Sequence, residues 1–119
     1  MAPARQSARQ QQGQAGENRA LDYLLAQGLR LVETNFRCKL GEIDLILRDG
    51  PCWVFVEVRQ RAGASHGGAA ASITPAKIRR LVRAAECYLQ RFPRMPPCRI
   101  DVVAIDGPHL AWLRDAVQV

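Results

Sequence analysis

Apolar residues recur along this chain with two different periods, and the change of period marks out its elements. In residues 16–27, GENRALDYLLAQ, the apolar positions Ala20, Leu21, Leu24 and Leu25 follow helical spacing, and Gly28 ends the run. Leu29 to Arg37, Gly41 to Arg48 and Cys52 to Arg59 read as three strands, with Asp49-Gly50 marking a hairpin turn between the last two. Thr74 has the chemistry of a helix cap and Pro75 that of a first helical position, so a second helix is expected from there to about Gln90. Its buried stripe is Ile78, Leu81, Val82, Ala85, Tyr88 and Leu89, with Arg79, Arg80 and Arg83 opposite. Pro93, Pro96 and Pro97 make a rigid connection to Ile100–Ile105, a run apolar everywhere except Asp101 and so patterned for burial on both faces. Trp112 and Leu113 indicate a short final strand or edge segment. The order helix, strand, strand, strand, helix, strand predicts an α/β sandwich around a mixed central sheet.

Two segments carry no such pattern. Residues 1–15 are mostly Gln, Ala and Arg and read as a flexible tail fraying into the first helix, which leaves residues 16–119 as a single domain. Residues 62–72, AGASHGGAAAS, read as a mobile surface loop. A chain of 119 residues suits one domain with one core. No apolar run approaches the ~18 residues of a membrane span, and the N-terminal residues lack the apolar centre of a secretory signal. No membrane partner is expected, and the expected location is cytoplasmic.

Composition narrows the partners. Seventeen Lys and Arg face eleven Asp and Glu, a net charge of +6, and only Lys39 and Lys77 are lysines. Arginine holds phosphate oxygens bidentately, so the balance favours nucleic acid, although it also fits a proteome that uses Arg as its default solubilising charge. Cys38, Cys52, Cys87 and Cys98 include no C-x-x-C pair and have no His at ligand spacing, which argues against a zinc site. Reduced thiols are expected, with Cys52 and Cys87 as small core residues.

The candidate chemistry lies in GEIDLILRDGPCWVFVEVRQR, residues 41–61, where acids interrupt two apolar strands. Strict alternation puts Glu42 and Asp44 on one face with Ile46, and Glu57 and Arg59 on one face with Trp53 and Phe55. A two-residue Asp49-Gly50 loop sets Asp44 opposite Phe55 and diagonal to Glu57, whereas a four-residue loop including Pro51 sets Asp44 directly opposite Glu57. Either register leaves the two carboxylates close enough to share a small cation. Adjacent carboxylates repel unless something positive lies between them, and that partner is either a divalent metal or Arg59 in a structural ion pair. Glu17 falls inside the apolar stripe of the first helix. The helix dipole accounts for an acid in the first turn but not for its inward facing.

Asp44, then twelve residues, then Glu57-Val58-Arg59 resembles the D…(D/E)-x-K signature of restriction-endonuclease-like nucleases. With Gly16-Glu17 opening a helix, Gly41 to Ile46, Phe55 to Arg61, a helix carrying Lys77 and Arg80, and Asp101-Val102-Val103-Ala104, the pattern resembles the YraN-type family of predicted endonucleases related to Holliday-junction resolvases. The resemblance implies a restriction-endonuclease-like three-layer sandwich and divalent-metal-dependent hydrolysis of DNA phosphodiesters, at branched or junction structures. It implies Mg²⁺ or Mn²⁺ held by Asp44, Glu57 and the backbone carbonyl of Val58, with Glu17 as the helix acid that completes the site. It also makes a homodimer the assembly that would cut two strands. The departure is Arg59 at the lysine position: it can hold phosphate but cannot act as a general base. Lys77 is the candidate for the missing amine.

Gln60, Arg61, Lys77 and Arg80 join Arg59 as candidate nucleic-acid contacts, against the plainer reading of Gln60 and Arg61 as a solvated strand end and of Arg79, Arg80 and Arg83 as a solvated helix face. Neither His66 nor His109 has a partner by spacing. Asp101 reads as a structural hydrogen-bond acceptor, and Glu42 as an acid behind Asp44 or a partner of Arg37 or Arg59. Three functions compete: a metal-dependent nuclease, a nucleic-acid-binding module that has lost turnover, and a protein-interaction subunit docking through its basic face.

Overall fold

The computed structural model of the chain describes residues 8–61 and 68–117, with side chains from residue 13 onward in the first stretch. Helix α1 spans Ala8–Ala26. It begins well before Gly16, so the part of the expected tail that is described is helical. Gln, Ala and Arg are good helix formers and need no apolar face to prolong a helix anchored downstream. Residues 1–7 of that tail lie outside the described residues. Gly16, Ala20 and Leu24, four apart, are buried in one line, with Glu17 and Leu21 half-buried beside them. Leu25 is 43% exposed, so the buried stripe is narrower than the sequence pattern indicates. The helix ends in a Schellman motif, with Leu29 N–H donating to the Leu24 carbonyl and Gly28 N–H to that of Leu25. Gly28 takes φ +98°, which a side chain would resist.

Strands β1 (Arg30–Cys38), β2 (Gly41–Asp49) and β3 (Cys52–Arg61) form two antiparallel hairpins. Helices α2 (Gly68–Ala71) and α3 (Pro75–Leu89) lead to β4 (Cys98–Asp106), which runs parallel to β3, and β5 (His109–Val117) returns antiparallel to β4. The result is a five-stranded mixed sheet in the order β1-β2-β3-β4-β5. Parallel pairing of β3 and β4 requires a crossover, which α2 and α3 supply. Thr74 caps α3 by accepting from Lys77 N–H at 3.2 Å, and Pro75 is its first residue. β5 is nine residues long, a full edge strand where only Trp112 and Leu113 had announced one.

The expected loop at 62–72 is in part a packed helical turn. Residues 62–67 lie outside the described residues, but α2 buries Gly68 and Ala69. Ala69 N–H donates to Asp106 Oδ1 at 2.7 Å. Small residues permit this close approach to the sheet as readily as they permit freedom.

Each face of the sheet carries its own half of the core. On one, Ala20 and Leu24 of α1 pack with Leu45, Leu47, Val54, Val56, Val103 and Ile105, and with the half-buried Trp112. On the other, Leu81, Ala84, Ala85, Tyr88 and Leu89 of α3 pack with Ile43, Ile46, Phe55 and Ile100, and with Trp53. Helices on both faces of a mixed sheet make three layers. α1 is further tied down by Arg19, which donates to the carbonyls of Gly107 and Pro108 in the β4–β5 turn. Among the described residues no helix is long and apolar enough to cross a membrane.

Asp101 is fully buried. It accepts from Arg99 Nε at 3.0 Å, Trp112 Nε1 at 2.9 Å and Asp115 N–H at 2.9 Å. It lies where the β4–β5 register shifts and Asp115 turns to φ +50°, so one carboxylate serves the groups the irregularity would orphan. Arg99 reaches on to Asp49 at 3.0 Å and joins the β2–β3 turn to β4. Asp101 is thus the structural acceptor its sequence context indicated. Asp101→Ala should lower the unfolding free energy by roughly 3–5 kcal/mol, the cost of breaking a buried hydrogen-bonded pair, measured by denaturant titration.

Candidate active site at a fork between two strands

The β2–β3 ladder runs from Asp49↔Cys52 to Leu45↔Val56 and no further. Beyond it β2 stays with β1 as far as Cys38↔Gly41, while β3 stays with β4 as far as Arg61↔Asp106. The two strands therefore fork at Asp44 and Glu57. The turn between them is Gly50-Pro51, and the register, carried one place past Leu45↔Val56, sets Asp44 across from Glu57. This is the register expected of a loop that includes Pro51, not of an Asp49-Gly50 loop.

The fork changes the faces that strict alternation assigned. Ile43 and Ile46 both pack in the α3 half of the core, while Leu45 and Leu47 pack in the α1 half. Alternation therefore slips at Asp44, and Glu42, Asp44 and Ile46 do not share one regular face. The physical reason is the parting of the strands, which frees β2 from the pleat that β3 imposes. Asp44 instead turns its carboxylate into the gap, where Oδ2 accepts the Val58 N–H at 2.8 Å. A side chain there takes the place of a strand carbonyl.

Two glycines bring the helices to this point. A Cβ on Gly16 would collide with the Gln60 side chain, so α1 rests directly on the end of β3 and lowers Glu17 toward the fork. A Cβ on Gly41 would collide with the Arg80 carbonyl, so α3 crosses just as closely over the start of β2. The outcome is a cleft on each side. A cleft of about 470 Å³ is lined by Gln14, Glu17, Asn35, Arg37, Glu42 and Asp44 among others. A second, of about 180 Å³, is lined by Glu42, Glu57, Arg59, Lys77, Arg80 and Leu81.

Glu17 and Glu57 each interact with Asp44. Burial, followed by the charge of Asp44 and a hydrogen bond to it, pushes Glu17 up to about 7. The same causes push Glu57 up to about 8, against the opposing pull of Arg59. Burial raises Asp44 as well, opposed by its hydrogen bonds to Val58 N–H, Glu57 and Glu17. Asp44 is thus the shared acceptor between two carboxyls that hold their protons near neutral pH. Among the described residues the cations available to this cluster are few. Arg59 Nη1 lies 3.7 Å from Glu57 Oε1, a loose pair, and Arg37 is engaged by Glu42 at 3.4 Å.

The other predicted residues divide. Lys77 and Arg80 reach the same cleft as Glu57 and Arg59. Gln60 does not face the cleft mouth; it packs beneath Gly16 with Oε1 buried and unpartnered. Arg61 is exposed at the strand end, where its carbonyl accepts from Gly107 N–H at 3.0 Å. Val58 enters through its N–H, as the donor to Asp44. Sequence reasoning passed over Ser72, whose Oγ accepts from Arg59 Nε at 3.1 Å; its place in a small-residue run concealed it. Asn35 was missed too, at φ +55° in β1, where an Asn inside a strand pattern was the available signal.

As donors, Asp44 and Glu57 offer hard oxygens suited to a divalent cation, which would bind in place of the proton that Glu57 otherwise holds. Among the described residues no group of three or more His, Cys, Asp or Glu forms a ready-made cage. A cation here would take few protein oxygens and complete its shell with water and phosphate, which is the habit of Mg²⁺.

Fold and site together define an α/β protein with a mixed five-stranded sheet, a helix layer on each face and a carboxylate cluster at a strand fork. The model of the uncharacterised protein family UPF0102 matches residues 16–105, and the chain belongs to that family, which is the YraN family. A UPF0102 protein of Herminiimonas arsenicoxydans is 57% identical over 112 residues, covering 94% of this chain and 90% of the relative. One of Cupriavidus metallidurans is 58% identical over 119 residues, covering 98% and 89%. One of Methylibium petroleiphilum is 59% identical over 111 residues, covering 87% and 91%.

The raised carboxyls fix the sign of a pH effect. Glu57 and Glu17 hold protons in the folded chain between their ordinary value of 4.5 and about 8 and 7. The folded state binds more protons than the unfolded one in that window, so stability falls as pH rises through it. Thermal melts in metal-free buffer should show Tm declining from pH 5 to pH 8, and Glu57→Gln should flatten the decline.

Proposed function

We propose that this protein is a divalent-cation-dependent nuclease that hydrolyses DNA phosphodiesters, with branched or junction DNA as its substrate. The observation that carries this reading is the meeting of Glu17, Asp44 and Glu57 at the fork, one step from a cleft bearing Arg59, Lys77 and Arg80. The resemblance of Asp44…Glu57-Val58-Arg59 to the restriction-endonuclease-like signature supports the same fold and chemistry.

Asp44 and Glu57, with the Val58 carbonyl, would hold Mg²⁺ or Mn²⁺. When bound, the ion supplies positive charge that polarises the phosphoryl group and acidifies water. Arg59, Lys77 and Arg80 bind the phosphate oxygens and stabilise the charge that develops on them. Glu17, at about 7, is tuned to exchange a proton at its carboxyl oxygens near neutral pH. Arg59 stays protonated, so it binds and orients without acting as a base. A second reading, DNA binding without turnover, is favoured by one observation: Arg59 occupies the lysine position and already donates to Ser72. A homodimer is the assembly that would place two such sites on two strands.

The test is a cleavage screen over linear, flapped and four-way DNA with Mg²⁺ or Mn²⁺. Metal-dependent cutting that Asp44→Asn abolishes is expected. Tight, salt-sensitive binding with no cutting would give the second reading preference.

Asp44→Asn also distinguishes a metal site from a purely structural role of Asp44. The amide oxygen can still accept the Val58 N–H, so the substitution removes charge and keeps the hydrogen bond. In chelator at pH 8 the variant should melt at or above the wild-type Tm, because repulsion with Glu57 is relieved. Wild type should gain stability as Mn²⁺ is added, and the variant much less. A variant that melts well below wild type, with no metal response in either, would leave Asp44 a structural acceptor only.

A further inference from the structure

Arg59 is held on two sides. On one, Nε donates to Ser72 Oγ at 3.1 Å and Nη2 lies 3.5 Å from the Ser72 carbonyl. On the other, Nη1 is 3.7 Å from Glu57 Oε1, beyond the about 2.7–2.9 Å of a charge-assisted hydrogen bond. Glu57 and Arg59 are two apart on one strand and both side chains are largely buried, so nothing in the backbone prevents a tight pair. The Ser72 hydroxyl gives its proton to the Ala69 carbonyl and therefore turns lone pairs toward Arg59. Ser72 is itself anchored. Asp106 at the end of β4 accepts the Ala69 N–H, and its carboxylate lies 2.9 Å from where a Cβ on Gly68 would stand, at φ +79°. A line of contacts thus runs from β4 through α2 and Ser72 to Arg59.

We propose that Ser72 is a positioning residue that restrains the Arg59 guanidinium from closing on Glu57. The restraint leaves Glu57 free to share a cation with Asp44 and leaves Nη1 facing the cleft of Lys77 and Arg80 for a phosphate. That the two ligands are a metal ion and a phosphate rests on the nuclease reading above. A guanidinium can be tethered by one edge while presenting another about 2 Å away in a fixed plane, whereas a lysine directs all three of its donors from one rotating nitrogen. Arg59 and Ser72 thereby act as a unit in which Arg suits the position.

The test has two arms, both on the full chain. In the first, the Arg59 Nε–Hε signal is followed by NMR without metal. It should be shifted and slow to exchange in wild type, lose both properties in Ser72→Ala, and regain them in Ser72→Thr, which keeps the hydroxyl. An Arg59 signal unchanged by Ser72→Ala overturns the proposal. The second arm is Mn²⁺ titration by calorimetry. Ser72→Ala should bind roughly threefold to fivefold more weakly, the worth of one part-exposed charge contact, with Ser72→Thr at the wild-type value. In an Arg59→Gln background, Ser72→Ala should have no further effect. An equal loss there would mean Ser72 does not act through Arg59 and would also overturn the proposal. Wild type that binds no Mn²⁺ sinks the metal reading, while the NMR arm still decides whether Ser72 holds Arg59.

Discussion

Where β2 parts from β3, the Val58 N–H is served by the Asp44 carboxylate at 2.8 Å instead of by a strand carbonyl. A fork in a sheet leaves backbone groups that must be satisfied, and a short acid is one of the few side chains able to reach back into the gap. The choice has an electrostatic consequence. It fixes a negative charge where solvent is scarce, and any second carboxyl nearby then keeps its proton more tightly. Glu17 and Glu57 are those neighbours, and their elevated values follow from burial together with Asp44.

The fork would be inert if the helices did not come down on it. Gly16, on the sheet-facing side of α1, and Gly41, in β2 beneath α3, mark where they come close. Both glycines begin short motifs whose next residue is an acid, Glu17 and Glu42. Each close contact and the acid beside it are therefore placed together. A side chain at Gly41 would meet the Arg80 carbonyl and lift α3, whereas one at Gly16 would meet the movable Gln60 side chain. Arg19 adds a second hold on α1 by donating to two carbonyls of the β4–β5 turn.

Much of this was legible from residue order because local rules agreed with one another. The cap at Thr74, the stop at Gly28 and the run of β4, apolar from Ile100 to Ile105 but for Asp101, each have a local cause, and each stands at its expected place. The gathering of Glu17, Asp44 and Glu57 was legible for a different reason: an acid inside an apolar stripe is costly to bury unless other polar groups meet it there. What could not be read was the break in alternation at Asp44, because a strand pattern assumes that its partner continues alongside. The packed turn at Gly68–Ala71 was hidden because small residues look the same whether they give freedom or allow close contact. Gln60 was misplaced because its surroundings depend on how near α1 lies, which a one-dimensional pattern does not contain.

The division of the core between two faces also distributes the two tryptophans of the chain. Trp53 lies among Tyr88 and Phe92 in the α3 half, with the Arg48 guanidinium 4.6 Å from its ring centre. Trp112 lies in the α1 half, edge-on to Tyr23 and bonded to Asp101. The molecule therefore contains a separate intrinsic fluorophore for each side of its sheet. Replacing one indole at a time would turn emission into a layer-by-layer record of unfolding, in which the loosening of one helix could be timed against the other without any added label.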